Sequence, residues 1–215
     1  MKTTVASWLL LGLAATLPAQ TPEPDSRIRV FVYNWAGVEA ATLARAERQA
    51  TAVYARAGIQ AEFIDCPLSA EQAPQFPACH LPPFPAALIV RLLSRPMAES
   101  IGLRPPTFGT ALSRADGTGT LAQVCAECCQ QSASGLDVNP ADLLGHVMAH
   151  EVGHLLLGSG SHGPSGLMHF PWRGKELDNL GKGSLLFSSQ EAGKMRRNAA
   201  ERLASSTVVA QAHTN

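Results

Sequence analysis

The residues best suited to chemistry stand together in the segment HEVGH, where His150 and His154 enclose Glu151. Side chains four positions apart on an α-helix lie on nearly the same face, so both imidazoles can bind one metal ion. Glu151 is rotated by about 100° from His150, which places its carboxylate beside the ion, where it can take a proton from water. The spacing therefore predicts a zinc site that activates water, with Glu151 as the general base.

The alternative for two histidines at this spacing is a solvated helix surface. That alternative fits poorly, because apolar residues occupy most other positions of the segment, among them Leu143, Leu144, Val147, Val152 and Leu155. His146 lies one turn before His150 on nearly the same face. Two helix histidines suffice for a metal, so we interpret His146 as a residue that either supports the metal ligands from outside or packs in the core, hydrogen-bonded on its free nitrogen.

A catalytic zinc ion takes three protein ligands and leaves a fourth position for water, so the helix lacks one ligand. A glycine-rich loop follows the helix over residues 158–163 and contains His162. Its glycines let the chain turn back towards the helix, which makes His162 the predicted third ligand. The fallback ligands are His169, Glu176 and Asp178.

The segment HEVGHLLLGSGSHGPSGLM resembles the metzincin zinc proteases, which combine a two-histidine helix, a glycine turn, a third histidine and a Met-turn. It also resembles short secreted bacterial proteins that carry HE-x-GHLLLG and SH motifs. The resemblance implies that one Zn²⁺ is bound by His150, His154 and His162. It further implies that Glu151 is the general base and that Met168 forms a hydrophobic floor under the metal.

The loop after the second histidine is longer than the metzincin pattern prescribes. In that pattern a glycine follows the second histidine by three residues and the third histidine follows it by six. Here Gly158 follows His154 by four residues, and His162 follows it by eight. Met168 follows His150 by 18 residues, an interval similar to that in the matrixin branch. The choice between His162 and the fallback ligands therefore stays open.

Local signals define the helix that must carry the site. Asn139 is a suitable N-cap, Pro140 suits the first helical position, and Gly158 is a suitable stop, so we predict the active-site helix at about 139–157. Apolar periodicity predicts the other elements. They are strands at 27–33, 59–64, 87–93, 110–113 and 120–126, a helix at 38–57, and a last helix at about 188–203 with a capping box from Ser188 to Glu191.

These elements predict an α+β fold of the zincin or metzincin type, with a small mixed twisted sheet and two or three helices. The chain has 215 residues, of which 46% are hydrophobic and 16% charged, which suits one globular domain. We place this catalytic domain at 27–203. An exposed leader is predicted at 20–26 and a disordered tail at 204–215.

The N-terminus has the composition of an export signal. Lys2 precedes an apolar stretch at 5–15 that is too short to span a bilayer, and Ala19 ends a plausible cleavage region. An ordinary core helix is the alternative. We interpret residues 1–19 as a signal peptide, which predicts a secreted or periplasmic protein.

The five cysteines permit several arrangements. Cys66 and Cys79 lie on either side of a proline-rich loop and can pair outside the cytosol. Cys125, Cys128 and Cys129 form a C-x-x-C-C cluster, in which one disulfide leaves one thiol over. We favour structural disulfides over a second metal site, and a second metal site over redox catalysis.

The formal net charge is zero and no basic block appears, which makes nucleic acid a poor partner. The leading hypothesis is a secreted zinc-dependent endopeptidase acting on a protein or peptide substrate. The alternative is a non-catalytic zincin-like domain in which zinc fixes structure or a binding surface. A zinc hydrolase acting on another substrate is a third, weaker hypothesis.

Overall fold

The computed structural model describes residues 26–212, except for residues 81, 83, 105, 115, 116 and 118, and it describes side chains as far as residue 206. The predicted signal peptide at 1–19 lies outside the described residues. The predicted leader at 20–26 also lies outside them, except for Ser26.

Five strands form one mixed sheet in the order β2-β1-β3-β5-β4. All neighbouring strands run parallel except β4, which pairs antiparallel with β5 and forms one edge. The mixed sheet predicted from the sequence is therefore confirmed. The strands are β1 (Arg27–Asn34), β2 (Gln60–Cys66), β3 (Leu88–Leu93), β4 (Gly109–Ser113) and β5 (Gly119–Cys125).

The described residues form six α-helices, more than the two or three predicted. The three that the sequence analysis missed, α2, α3 and α5, have only six to eight residues, too few to show a clear apolar period. None of the described helices is long and apolar enough to cross a membrane. The helices are α1 (Ala40–Arg56), α2 (Arg95–Ser100), α3 (Ala126–Ala133), α4 (Pro140–Leu157), α5 (Lys175–Gly181) and α6 (Ser189–Ala212).

Two predicted irregular segments contain regular structure. The loop between β2 and β3 includes two short 3₁₀ turns, Ala73–Gln75 and Pro77–Cys79. Helix α6 continues to Ala212, so the disordered tail predicted from residue 204 is wrong for the part that the structure describes. Residues 213–215 lie outside the described residues.

The ends of α4 are set by the residues that the sequence indicates. The Asn139 side chain accepts a hydrogen bond from the backbone N–H of Ala141 at 2.9 Å, which satisfies a free donor of the first turn. At the other end Gly158 has φ of 92°, and its N–H donates to the His154 carbonyl. A glycine adopts this left-handed conformation without steric cost, so the helix stops there.

Helix α4 lies unusually close to α1. A Cβ atom on Gly145 would be 2.4 Å from the carbonyl oxygen of Ala46, so only glycine permits this approach. The buried Tyr54 hydroxyl donates to the Ala149 carbonyl at 2.8 Å. Arg45 and Asp142 add a two-pronged ion pair with both N–O distances at 2.8 Å. The first half of α4 is thereby fixed against α1.

Helix α6 holds the other end of α4. The Asn198 side chain donates to the Leu156 carbonyl at 2.6 Å, and the Arg202 guanidinium donates to the Leu155 carbonyl. These donors satisfy carbonyl groups that the last helical turn leaves unpaired. Helix α4 also packs against β4 and β5 and is buried along most of its length. It is a rigid support for the residues it carries.

Two disulfides are present, as the sequence analysis favoured. Cys66 at the end of β2 is bonded to Cys79 in the following loop. Cys125 is bonded to Cys128 at the start of α3, and Cys129 remains a buried free thiol.

Candidate metal centre

Three histidines converge at the end of α4. Their candidate ligand nitrogens all lie within 4.8 Å of one another. His150 and His154 project from successive turns of the helix, and His162 approaches from the loop that follows Gly158. These are the three ligands predicted from the sequence. Among the described residues, the fallback ligands do not belong to the group.

Each helix imidazole is oriented by a hydrogen bond on its Nδ1 atom. His150 Nδ1 lies 2.7 Å from the carbonyl oxygen of Leu167, and His154 Nδ1 lies 2.9 Å from Ser161 Oγ. A carbonyl oxygen only accepts, so Nδ1 of His150 carries the proton and Nε2 presents its lone pair. The Leu167 carbonyl also accepts from Trp172 Nε1 at 3.1 Å, which ties the cavity wall to the same oxygen.

The two Nε2 atoms of His150 and His154 face each other at 3.0 Å. Two nitrogen ligands of a tetrahedral zinc ion, each at about 2.0 to 2.1 Å from the metal, lie about 3.3 Å apart. The observed separation is close to this value, so the two nitrogens are placed to share one ion. The donor set of three histidines therefore fits one zinc ion.

Burial keeps these imidazoles in the form that binds a metal. It is the main cause that lowers the pKa of His150 to about 4, with a contribution from the neighbouring His162. Burial, assisted by His150 and His162, lowers the pKa of His154 to about 3. Both rings are consequently neutral at physiological pH, with a lone pair free for coordination.

Glu151 follows the first histidine and faces the same cavity. Its side chain is only 5% exposed, and burial raises the pKa of the carboxyl to about 8. A carboxyl with a pKa near neutrality can both accept and return a proton at physiological pH. A bound divalent cation would act in the opposite direction, because it favours the carboxylate.

The three histidines and Glu151 line an open cavity of about 680 Å³. The lining includes strand β4 with the segment before it and the segment 170–172. Apart from the three histidines, Glu151 is the only acidic or basic residue among the described residues that line the cavity. The apolar part of the lining consists mainly of Phe108, Leu112, Leu136, Val147, Phe170, Trp172 and Leu177.

The other histidines that the sequence analysis considered lie elsewhere. His146 is fully buried and its Nδ1 contacts the Asp142 carbonyl one turn earlier at 2.7 Å, which agrees with its interpretation as a core residue. His169 Nδ1 lies 3.4 Å from a carboxylate oxygen of Glu176. These two fallback ligands lie next to each other, outside the group of three histidines.

Met168 is fully buried in the core that contains most of α4. Its sulfur lies 2.9 Å from the position that a Cβ on Gly153 would occupy, so it packs tightly against the helix between the two ligand turns. This position shows that Met168 packs in the core against α4.

Sequence reasoning missed the groups that orient the ligands. Ser161 lies directly before His162, and its hydroxyl is a plausible partner for an imidazole, so its identity was an available signal. The Leu167 carbonyl has no such signal, because every residue has one. Gly109, which contacts Glu151 from β4, was also missed, since only the tertiary structure brings it there.

No protein-family model and no curated protein matches this chain. The solved structures that are similar to it include the following two. A zinc-dependent peptidase from Methanocorpusculum labreanum is 16% identical, covers 77% of this chain and 99% of its own, and has a TM-score of 0.48. An archaemetzincin from Methanopyrus kandleri is 14% identical, covers 80% of this chain and 96% of its own, and has a TM-score of 0.47. Likeness at this level does not extend to the activity of this chain.

Proposed function

We propose that this chain is a secreted zinc-dependent endopeptidase. One observation carries the proposal: three imidazoles converge beside a buried carboxyl group at the wall of an open cavity. His150, His154 and His162 would hold the ion. Zinc bound there supplies Lewis-acid chemistry, because it lowers the pKa of water and polarises a carbonyl group.

The residues around the ligands keep them ready for the metal. Leu167 and Ser161 hold the two helix imidazoles by their Nδ1 atoms and so direct both Nε2 atoms to the same point. Partners of this kind fix the tautomer and the ring orientation of a metal-bound histidine. Met168, packed under α4, would form the apolar floor that the metzincin resemblance implies.

Glu151 would move the proton. In the proposed reaction its carboxylate removes a proton from the attacking water and later delivers that proton to the leaving nitrogen of the peptide bond. The position of the side chain supports this role, because the carboxyl group faces the cavity that the three histidines also line.

The open cavity favours an enzyme over a structural zinc site. A structural site has four protein ligands, whereas a catalytic one has three and leaves a position for water. Among the described residues, the ligand group has three members, all histidines, and it faces the cavity. A purely structural site would also have no use for a buried carboxyl beside its ligands.

The charge distribution in the cavity supports cleavage within a peptide chain. A charged side chain in the cavity would favour binding of the terminal ammonium or carboxylate of a peptide, because charge-assisted hydrogen bonds are stronger than neutral ones. Apart from Glu151 and the histidines, the described lining residues are uncharged. The apolar lining suits uncharged, largely apolar substrate side chains next to the cleaved bond.

Secretion is part of the proposal for two reasons. Residues 1–19 have the charge and apolar pattern of a signal peptide. Disulfides such as Cys66–Cys79 also persist mainly outside the reducing cytosol. N-terminal sequencing of the exported protein tests this part: we expect a start near residue 20, and retention of residues 1–19 would contradict it.

The peptidase proposal is tested with a mixture of peptides blocked at both ends and, in parallel, with the same peptides left unblocked. We expect the zinc-loaded protein to cleave internal bonds, a chelator to abolish cleavage, and added zinc to restore it, as seen by mass spectrometry. Cleavage restricted to peptides with a free terminus would identify an exopeptidase. Stoichiometric zinc without cleavage of any peptide would favour the non-catalytic alternative.

A further inference from the structure

Strand β4 lies directly against the side chain of Glu151. A Cβ atom placed on Gly109, the first residue of β4, would be 2.6 Å from Cγ, 2.7 Å from Oε1 and 2.8 Å from Cδ of Glu151. Non-bonded carbon atoms at van der Waals contact lie about 3.5 to 4.0 Å apart. The strand can approach the carboxyl group this closely only because residue 109 has no side chain.

The backbone conformation does not explain this glycine. Gly109 is not among the residues with positive φ, and it pairs in regular register with Val124 of β5. Any residue can adopt such an extended conformation, and glycine within a strand is otherwise unfavourable. The close contact with Glu151 is therefore the physical reason for a glycine at this position.

The strand is held in place and cannot easily retreat. The Phe108 carbonyl, next to Gly109, accepts a hydrogen bond from the backbone N–H of Cys125 at 2.8 Å. Cys125 is in turn bonded to Cys128 in the first turn of α3, and both sulfur-bearing residues are buried. The segment opposite Glu151 thus rests on a cross-linked corner between β5 and α3.

The helix on the other side of the contact is equally constrained. Gly145 fits against the Ala46 carbonyl without space for a Cβ, and α6 binds the carbonyls at the end of α4. With both backbones fixed, the side chain of Glu151 is the part that must move when an atom is added at residue 109.

We propose that Gly109 is a positioning residue for Glu151. Because Gly109 has no side chain, its backbone packs directly against the side chain of Glu151 and keeps the carboxyl group pointing into the cavity. The expected effect of Gly109 on the rate of catalysis rests on the proposed function. The geometric consequence, a displaced Glu151 side chain in Gly109→Ala, is independent of any activity.

The first test is a pair of crystal structures, of the wild type and of Gly109→Ala, both loaded with zinc. We expect the Glu151 carboxyl to move away from residue 109 while the β4 backbone and the three histidines stay in place. If β4 shifts outwards and Glu151 keeps its position, or if the variant does not fold, the inference is wrong. This readout does not depend on whether the protein is a peptidase.

The second test is kinetic, on a blocked peptide that the wild type cleaves. We expect Gly109→Ala to lower kcat roughly 10- to 100-fold at unchanged zinc content, because small displacements of a catalytic group have effects of this size. KM should change by less than about threefold, because the contact does not bind substrate. A loss of zinc in parallel with activity, or an unchanged kcat, would overturn the positioning role.

Gly181→Ala is the matched control. Gly181 lies at the end of α5, and a Cβ there would meet nothing within 4 Å. The control should keep wild-type kcat, KM and zinc content. An inactive wild type would disprove the proposed function, whereas an active wild type with an equally active Gly109→Ala variant would disprove only the role of Gly109.

Discussion

The hydroxyl oxygen of Ser161 lies 2.9 Å from Nδ1 of His154. This bond joins the loop that carries His162 to the second ligand of the helix. Outer partners of metal-bound histidines typically contribute 10- to 100-fold to metal affinity, so we expect Ser161→Ala to weaken zinc binding by about that factor. Competition with a chromophoric chelator measures the effect.

Ser159→Ala provides the control for this prediction. Ser159 lies in the same loop and also lines the cavity. It should bind zinc as tightly as the wild type. Equal zinc affinities for both serine variants would show that the Ser161 hydroxyl does not orient the ligand.

The third ligand is tested by two histidine substitutions. We expect His162→Ala to lower zinc affinity by more than about 100-fold, because it removes one of three direct ligands. His169→Ala removes the imidazole that faces Glu176, outside the ligand group, and should retain stoichiometric zinc. Zinc content after dialysis against a weak chelator distinguishes the two variants, and the reverse result would transfer the ligand role to His169.

Because α1 and α4 cross so closely, we expect Gly145→Ala to lower the free energy of unfolding, although alanine normally stabilises a helix relative to glycine. Helix propensity alone would make alanine more stable than glycine by about 1 kcal/mol. A Cβ at residue 145 would instead lie 2.4 Å from the Ala46 carbonyl oxygen, and overpacking of this kind costs about 1 to 3 kcal/mol. We therefore expect a net loss in the free energy of unfolding in urea titrations. A more stable variant would disprove the tight crossing.

The raised pKa of Glu47 predicts that the stability of the protein depends on pH. Burial, together with the charge and hydrogen bond of Asp65, raises the pKa of Glu47 from 4.5 to about 8. The unfolded chain therefore loses this proton at a lower pH than the folded protein does. Glu47 therefore lowers the free energy of unfolding as the pH rises. This destabilisation is absent below pH 4.5 and reaches its full size above about pH 8.

Glu47→Gln removes this cost, since glutamine keeps the shape of the neutral acid. We expect the variant to match the wild type in urea titrations at pH 4.5 and to become progressively more stable than it towards pH 8. Glu71→Gln, on an exposed glutamate, should show no such trend. A stability difference that does not change with pH would contradict the raised pKa.

The part of the site that depends on local geometry could be predicted from the sequence. The spacing of His150 and His154 places both imidazoles on one helix face whatever surrounds the helix. The caps at Asn139 and Gly158 are also local, and the structure reproduces both. The glycine-rich loop predicts the position of His162, although its longer spacing leaves the choice of the third ligand open. The structure places the His162 ring beside those of His150 and His154.

The parts that depend on tertiary contacts could not be predicted. Nothing in the sequence near Gly109 indicates that β4 passes over Glu151, 42 positions further along the chain. Likewise, the Leu167 carbonyl becomes a partner of His150 only when the chain returns beneath α4. The three short helices were missed because tertiary packing, and not an apolar period of their own, stabilises elements of this length.

We propose that the zinc-loaded site uses Glu151 to move a proton during peptide hydrolysis. The most direct measurement compares wild type and Glu151→Gln, loaded with equal zinc, on a fluorogenic peptide blocked at both ends. Glutamine keeps the size of the side chain but cannot accept the proton, so we expect the variant to retain zinc and lose about 100-fold or more in kcat. A variant as active as the wild type, or a wild type that binds no stoichiometric zinc, would contradict the account.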